Sequence, residues 1–273
     1  MSTISAAFER LATERRAAYV PYICAGDPSE SFTVDLASRL CSSGADLLEL
    51  GLPFSDPVGD GPVIQGAMNR ALSGGFQTGQ LFGVIGKLRE RKVSQPIVIM
   101  SYFNPILRYG PERFCSDAAR AGADGLLVVD LPIEESDELD AAARASGLDA
   151  IRLIAPTTSE MRMNRILSTA SGFVYAVSVS GVTGARSSLS SSAIALLTSL
   201  KARSKLPVLL GFGISAPQHV TEAVGAGAAG VVEGSALVRL YADHLDDPQL
   251  ALDMIDQHAR EMKTAAVAVI REK

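Results

Sequence analysis

Short apolar, β-rich runs alternate along this chain with longer segments patterned in alanine, leucine and charge, and this alternation constrains the fold more than any other feature. Eight such runs occur: Tyr19 to Cys24, Asp46 to Leu50, Pro96 to Met100, Gly125 to Asp130, Asp149 to Ile154, Phe173 to Val179, Pro207 to Gly213 and Gly230 to Gly234. Each is followed by a helix-like segment, among them Ser31 to Ser43, Glu134 to Ala145, Glu160 to Ala170 and Ala216 to Val224. Three runs are announced by one device, "SSGAD", "RAGAD" or the looser "GAGAAG", in which glycine supplies the left-handed residue that ends a helix before the chain turns into a strand. Eight βα units without a linker or low-complexity tract predict an α/β fold: a single (β/α)8 TIM barrel, one domain spanning 1–273. An extra N-terminal helix, Ser5 to Arg15, is placed to plug the barrel bottom, and an extra C-terminal helix, Pro248 to Glu272, closes the chain. A doubly wound open sheet is the runner-up; it ranks behind because no G-x-G-x-x-G opens a helix after the first strand.

Composition removes several function classes. A net charge of -5 with no basic block argues against nucleic acid, whose binding surfaces cluster Lys and Arg. No apolar run approaches the roughly 20 residues that span a bilayer. The N-terminal "MSTISAAFERLATERRAAY" lacks the apolar core of an export signal, which implies a cytoplasmic protein. Cys24, Cys41 and Cys115 form no C-x-x-C and read as reduced thiols, and with His219, His244 and His258 they match no metal template. Since no histidine precedes residue 219, acid–base chemistry in the first three quarters of the chain falls to carboxylates or tyrosines.

In a barrel of this kind the active site lies at the C-terminal ends of the strands and in the loops that follow. Glu49 lies there. In "LLEL" alternation puts Leu47 and Glu49 on the inner face and Leu48 and Leu50 against the helices, so a partly desolvated carboxylate stands near the barrel top with its pKa expected to rise. A structural ion pair is the competing explanation for that acid. The loop "PFSDPVGDGP" adds Asp56 and Asp60; Asp-Pro and Asp-Gly are ordinary turn pairs, but after such a strand the loop is a candidate lid bringing Asp60 to the same cavity. The last three strand ends, "SGVTGAR", "GFGIS" and "EGSAL", gather glycines, hydroxyls and a helix start after Gly234, which is a phosphate seat in barrels of this kind. Tyr22, Met100, Leu127, Leu153, Tyr175 and Phe212 lie near strand ends; singly each reads as core, together they describe a pocket for a flat apolar ring with a phosphorylated tail.

The ordered motifs "ELGLPFSDPVGDGPVIQ", "MSYFNPILRYG", "DLPIEE", "IAPTTS", "YAVSVSGVTGAR", "GFGIS" and "GSALV" closely resemble the tryptophan synthase alpha subunit from about Phe8 to Leu240. The resemblance implies cleavage of indole-3-glycerol phosphate to indole and glyceraldehyde 3-phosphate, with no cofactor in this chain. It makes Glu49 the proton shuttle and Asp60 its electrostatic partner. By the same resemblance Tyr175 and Thr183 line the site, Gly184, Gly213, Gly234 and Ser235 hold the phosphate, and Tyr22, Tyr102, Leu127 and Phe212 pack around the indole.

The family works as an alpha2beta2 complex with a pyridoxal-phosphate-dependent beta subunit that receives the indole. Asp56 and the "YFNPILRYG" segment around Asn104 match the docking face, and "SGVTGAR" matches a lid. Three positions depart from the family pattern. Gly59 replaces a more usual alanine and is expected to loosen the loop bearing Asp60. Val179 stands where arginine is common. Glu233 is an anion beside the anion seat, so it is expected to face outward or pair with a base. A stand-alone lyase releasing free indole and a catalytically silent activator of the beta subunit remain the alternatives.

Overall fold

Eight parallel strands close into a barrel in the computed structural model, which describes residues 1–177 and 188–271, with side chains of the last helix described to 267. The strands are β1 (Ala18–Cys24), β2 (Leu48–Gly51), β3 (Ile97–Ser101), β4 (Gly125–Val128), β5 (Asp149–Ile154), β6 (Val174–Val177), β7 (Val208–Gly211) and β8 (Gly230–Glu233). Each pairs in parallel with the next, and β8 closes on β1 through Ala18 opposite Gly230. The helices are α1 (Thr3–Thr13), α2 (Glu30–Ser42), α3 (Pro62–Ser73), α4 (Thr78–Glu90), α5 (Phe103–Tyr109), α6 (Pro111–Ala121), α7 (Asp137–Ala145), α8 (Glu160–Thr169), α9 (Ser191–Arg203), α10 (Pro217–Gly225), α11 (Ser235–Ala242) and α12 (Pro248–Arg271).

The eightfold alternation therefore folds as its period requires, and the glycine device works as local geometry predicts: Gly44, Gly122 and Gly227 have φ of 116°, 104° and 104°. The N-terminal helix plugs the barrel bottom. Its buried stripe of Ile4, Ala7, Phe8 and Leu11 meets the strand starts, with Phe8 and Phe173 centroids 5.9 Å apart and Ile4 packed over Gly125.

Several boundaries differ from the sequence expectation because polar side chains capture backbone groups. The second strand starts at Leu48 rather than Asp46, whose carboxylate accepts the Tyr19 N–H at 2.9 Å and pairs with Lys263 of α12. The fourth ends at Val128, and Asp130 instead accepts the Phe103 N–H at the start of α5 at 2.7 Å. The helix expected over 134–145 divides into a short 3-10 turn, Ile133–Glu135, and α7; between them the Ser136 hydroxyl donates to the carbonyl of Ile133.

Candidate active site

The inner wall is built by strand register. Glu49 lies between Tyr22 on β1 and Val98 on β3, and one step nearer the barrel top Gly51 lies beside Met100, itself opposite Leu127. Alternation sends Glu49 and Gly51 inward and Leu48 and Leu50 toward the helices, as strand parity predicted. Glu49 is 3% exposed, and Met100, Leu127 and Tyr175 are buried around the same interior.

Two glycines create the room. A Cβ on Gly51 would stand 2.2 Å from the Tyr22 hydroxyl oxygen, and one on Gly211 would stand 2.0 Å from the Tyr175 ring. Any side chain at either position would displace an aromatic ring from the barrel mouth. In the sequence Gly51 carries no role and Gly211 only that of a member of "GFGIS", although each sits at an inward-facing strand end, which is the signal that marks them.

The Glu49 carboxyl is pushed up to about 8, first by burial and then by the negative charge of Asp60. Among the described residues its Oε2 has no hydrogen-bond partner, and neither does the buried Tyr22 hydroxyl. Orphaned buried polar atoms on two side chains paired across neighbouring strands are what a polar ligand satisfies.

Asp60 reaches the site from the loop between β2 and α3, and Tyr102 fixes it there. The Tyr102 hydroxyl donates to Asp60 Oδ2 at 2.7 Å and accepts the Gly59 N–H at 3.0 Å, while Gln65 Nε2 donates to the Asp60 carbonyl at 2.8 Å. Burial raises the Asp60 pKa, and the Tyr102 hydrogen bond opposes that rise by favouring the carboxylate. The ring expected against indole therefore also holds the loop that carries Asp60. Gly59, expected to loosen that loop, is tied to the same hydroxyl, and a Cβ at this position would lie 3.2 Å from it.

Phe212 was read as an internal wall residue, but it is 43% exposed at the barrel mouth, edge-on to Tyr175 at 6.3 Å between centroids. Its φ of +70° puts a bulky residue in the left-handed region, next to Gly213 at +80°. Such strain costs on the order of 1–3 kcal/mol and collects at functional sites.

Gly234 is the N-cap of α11 and Ser235 its first residue; among the described residues no side chain caps this end. Helix geometry leaves the first N–H groups without partners inside the helix, so the terminus is a ready seat for an anion. Glu233 does not enter that seat. Its Oε2 accepts the Tyr19 hydroxyl at 2.7 Å and its Oε1 lies 2.7 Å from His258 Nε2 on α12, so it points into the helical shell and pairs with a base.

Asp56 and Asn104 are both exposed, on two segments that also expose Val58 and Leu107. Thr183, Gly184 and Val179, with the rest of "SGVTGAR", lie outside the described residues. Among the described residues no group of three or more His, Cys, Asp or Glu is placed to hold a metal ion.

The family model for the tryptophan synthase alpha chain matches residues 8–267 of this sequence. The chain is 43% identical over 269 residues to the tryptophan synthase alpha chain of Gluconobacter oxydans, covering 98% of this chain and 99% of that one. The crystal structure of tryptophan synthase subunit alpha from Legionella pneumophila superposes with a TM-score of 0.89 at 38% identity, covering 97% of this chain and 98% of that one. A chain in the crystal structure of the tryptophan synthase complex from Pyrococcus furiosus gives 0.82 at 36% identity, covering 90% and 98%.

Proposed function

From the membership of this chain in the tryptophan synthase alpha chain family, we propose that Glu49 and Asp60 carry out its reaction, the cleavage of indole-3-glycerol phosphate to indole and glyceraldehyde 3-phosphate. The chain is a carbon–carbon lyase, and we read 1–273 as one catalytic domain. The observation that carries the mechanism is the buried Glu49 carboxyl, raised to about 8 by burial and by the charge of Asp60, with its Oε2 lacking a hydrogen-bond partner among the described residues.

A carboxyl of that acidity is largely protonated at neutral pH and can still lose its proton, the compromise that general acid–base catalysis needs. Glu49 donates its proton to indole C3, giving the ring a positive charge shared with its nitrogen. It then takes the proton of the hydroxyl on the adjoining chain carbon. The bond between that carbon and C3 breaks, its electron pair returns to the ring, and the chain carbon becomes the aldehyde of glyceraldehyde 3-phosphate. Asp60, whose Oδ2 accepts the Tyr102 hydroxyl, stabilises the positive ring at its N–H.

Tyr22, Met100, Tyr102, Leu127, Tyr175 and Phe212 form the ring pocket, and Thr183 is assigned to the same substrate from the family resemblance alone. Gly213, Gly234 and Ser235 hold the phosphate at the start of α11, and Gly184 is assigned to the same phosphate from the family resemblance alone. The chain needs no cofactor of its own; pyridoxal phosphate belongs to the beta subunit. That subunit docks over Asp56 and Asn104, where Val58 and Leu107 offer apolar surface, and receives the indole in an alpha2beta2 complex. No helix among the described residues is long and apolar enough to cross a membrane, in keeping with work in the cytoplasm.

Indole release from indole-3-glycerol phosphate, measured with and without a beta subunit, tests this reading. Cleavage that the beta subunit accelerates supports it, and full activity unchanged by the beta subunit would refute the complex. Glu49→Gln should abolish turnover while retaining phosphate-ligand binding; a variant that still cleaves would refute the mechanism.

A further inference from the structure

One buried acid outside the catalytic pair connects two elements that this reaction depends on. Asp27, just after β1, is 0% exposed, so an ionised carboxylate there requires strong partners. It has three contacts from two helices. Arg70 of α3 forms a two-pronged pair, Nε to Oδ1 and Nη2 to Oδ2, both at 2.8 Å, and the Tyr241 hydroxyl of α11 donates to Oδ2 at 2.7 Å.

The identities of those helices carry the argument. The N-cap of α3 is Gly61, the residue after Asp60, so the position of α3 sets where the loop delivers its carboxylate. The N-cap of α11 is Gly234, so the position of α11 sets where the phosphate sits. Arg70 lies in the third turn of α3 and Tyr241 in the last full turn of α11, and a helix transmits an offset at one end to its other end as a nearly rigid rod.

We propose that Asp27 is a positioning residue for the cleavage reaction: by tying Arg70 of α3 to Tyr241 of α11, it sets the separation between the Asp60 carboxylate and the phosphate seat at Gly234. This rests on the cleavage reading above. A substrate held by its phosphate brings its ring to a fixed distance from that seat, and a misplacement of about 1 Å can cost on the order of a hundredfold in rate. The bidentate geometry fits the role, because a planar fork on a carboxylate fixes direction as well as distance.

The test compares wild type with Tyr241→Phe, which removes one hydroxyl, with Asp27→Asn, and with the double variant. Turnover of indole-3-glycerol phosphate and competitive inhibition by glycerol 3-phosphate are measured below every variant's Tm. The expected result is a fall in kcat of about tenfold for Tyr241→Phe and more for Asp27→Asn. KM and the glycerol 3-phosphate constant should stay within about twofold, and the double variant should be no worse than Asp27→Asn, since both act through one link. A kcat within about twofold of wild type in Tyr241→Phe, or a loss confined to KM and phosphate affinity, would overturn the proposal. Should Asp27→Asn fail to fold, Tyr241→Phe carries the test alone. If the wild type releases no indole, the cleavage reading fails, and the link is judged from crystal structures: an Asp60-to-Gly234 separation unchanged in Tyr241→Phe overturns it, and a shift of about 1 Å supports it.

Discussion

Replacing Glu49 with glutamine should separate the part of this side chain that serves the reaction from the part that burdens the fold. The folded carboxyl titrates at about 8 against 4.5 for an unperturbed one. Because the folded pKa is the higher, the native state holds the proton more tightly. The stabilisation is complete below about pH 4.5 and is lost progressively as pH rises to about 8. At about 1.4 kcal/mol per unit, the whole interval corresponds to about 5 kcal/mol, with about 3 kcal/mol lost by pH 7. That is a large part of the 5–15 kcal/mol typical of a folded domain. Glutamine does not titrate, but its amide meets the same unpartnered surroundings as Glu49 Oε2 and adds a pH-independent cost of roughly 1–3 kcal/mol. The signature is therefore a slope and not an offset. Urea unfolding of both proteins from pH 5 to pH 9 should show Glu49→Gln gaining about 4 kcal/mol on the wild type across the range, while cleavage is lost throughout. A stability difference constant to within about 1 kcal/mol would mean that Glu49 titrates near its ordinary value, and the proton-shuttle argument would fall with it.

Tyr102→Phe removes the donor to Asp60 and the acceptor for Gly59, so kcat/KM should drop on the order of tenfold and its acid limb should move to higher pH, because Asp60 loses the contact that opposes its raised pKa; an acid limb that stays in place in the pH–rate profile would contradict this. Gly211→Ala puts a Cβ about where the Tyr175 ring now lies, and thermal unfolding should report a loss of roughly 1–3 kcal/mol together with a raised KM for indole-3-glycerol phosphate; unchanged values of both would show that Tyr175 does not depend on this gap. Burial lowers the His258 pKa, but the hydrogen bond and charge of Glu233 raise it more, so the net shift is upward from 6.5. The pair's contribution is then complete below about pH 6.5 and lost as pH rises through the folded value; His258→Gln, made in the Glu49→Gln background to remove the larger titration, should flatten the stability profile just above pH 6.5, and a profile of unaltered slope would refute the pairing.

Much of what depends on nearby residues in the chain is legible in the sequence alone. The period of the apolar runs set eight βα units, and glycine in "SSGAD" and "RAGAD" marked helix ends because the left-handed residue that stops a helix is a local choice. Parity alone placed Glu49 inside, since neighbouring strand residues must face opposite ways, and like-charge repulsion turned Glu233 away from the head of α11 toward a base. The glycine at the head of α11 could likewise be read as an anion seat from the strand end that precedes it.

What parity cannot supply is the partner across the barrel. Tyr102 and Asp60 are 42 residues apart, Asp27 and Arg70 43, and Asp27 and Tyr241 214. These contacts exist because the barrel closes and the helices pack around it, and no pattern within one segment encodes which side chains then come within 3 Å. Tertiary structure turned Gly59 from a loosening element into a tethered one and bound Tyr102 to the loop that carries Asp60. It also forced Phe212 into a left-handed backbone at the mouth and made Gly51 and Gly211 the spaces into which two tyrosines fit. The chain thus determined by itself which residues face inward, because that is a matter of period; which of them touch was decided by closure, because contact depends on the spacing of elements far apart in sequence.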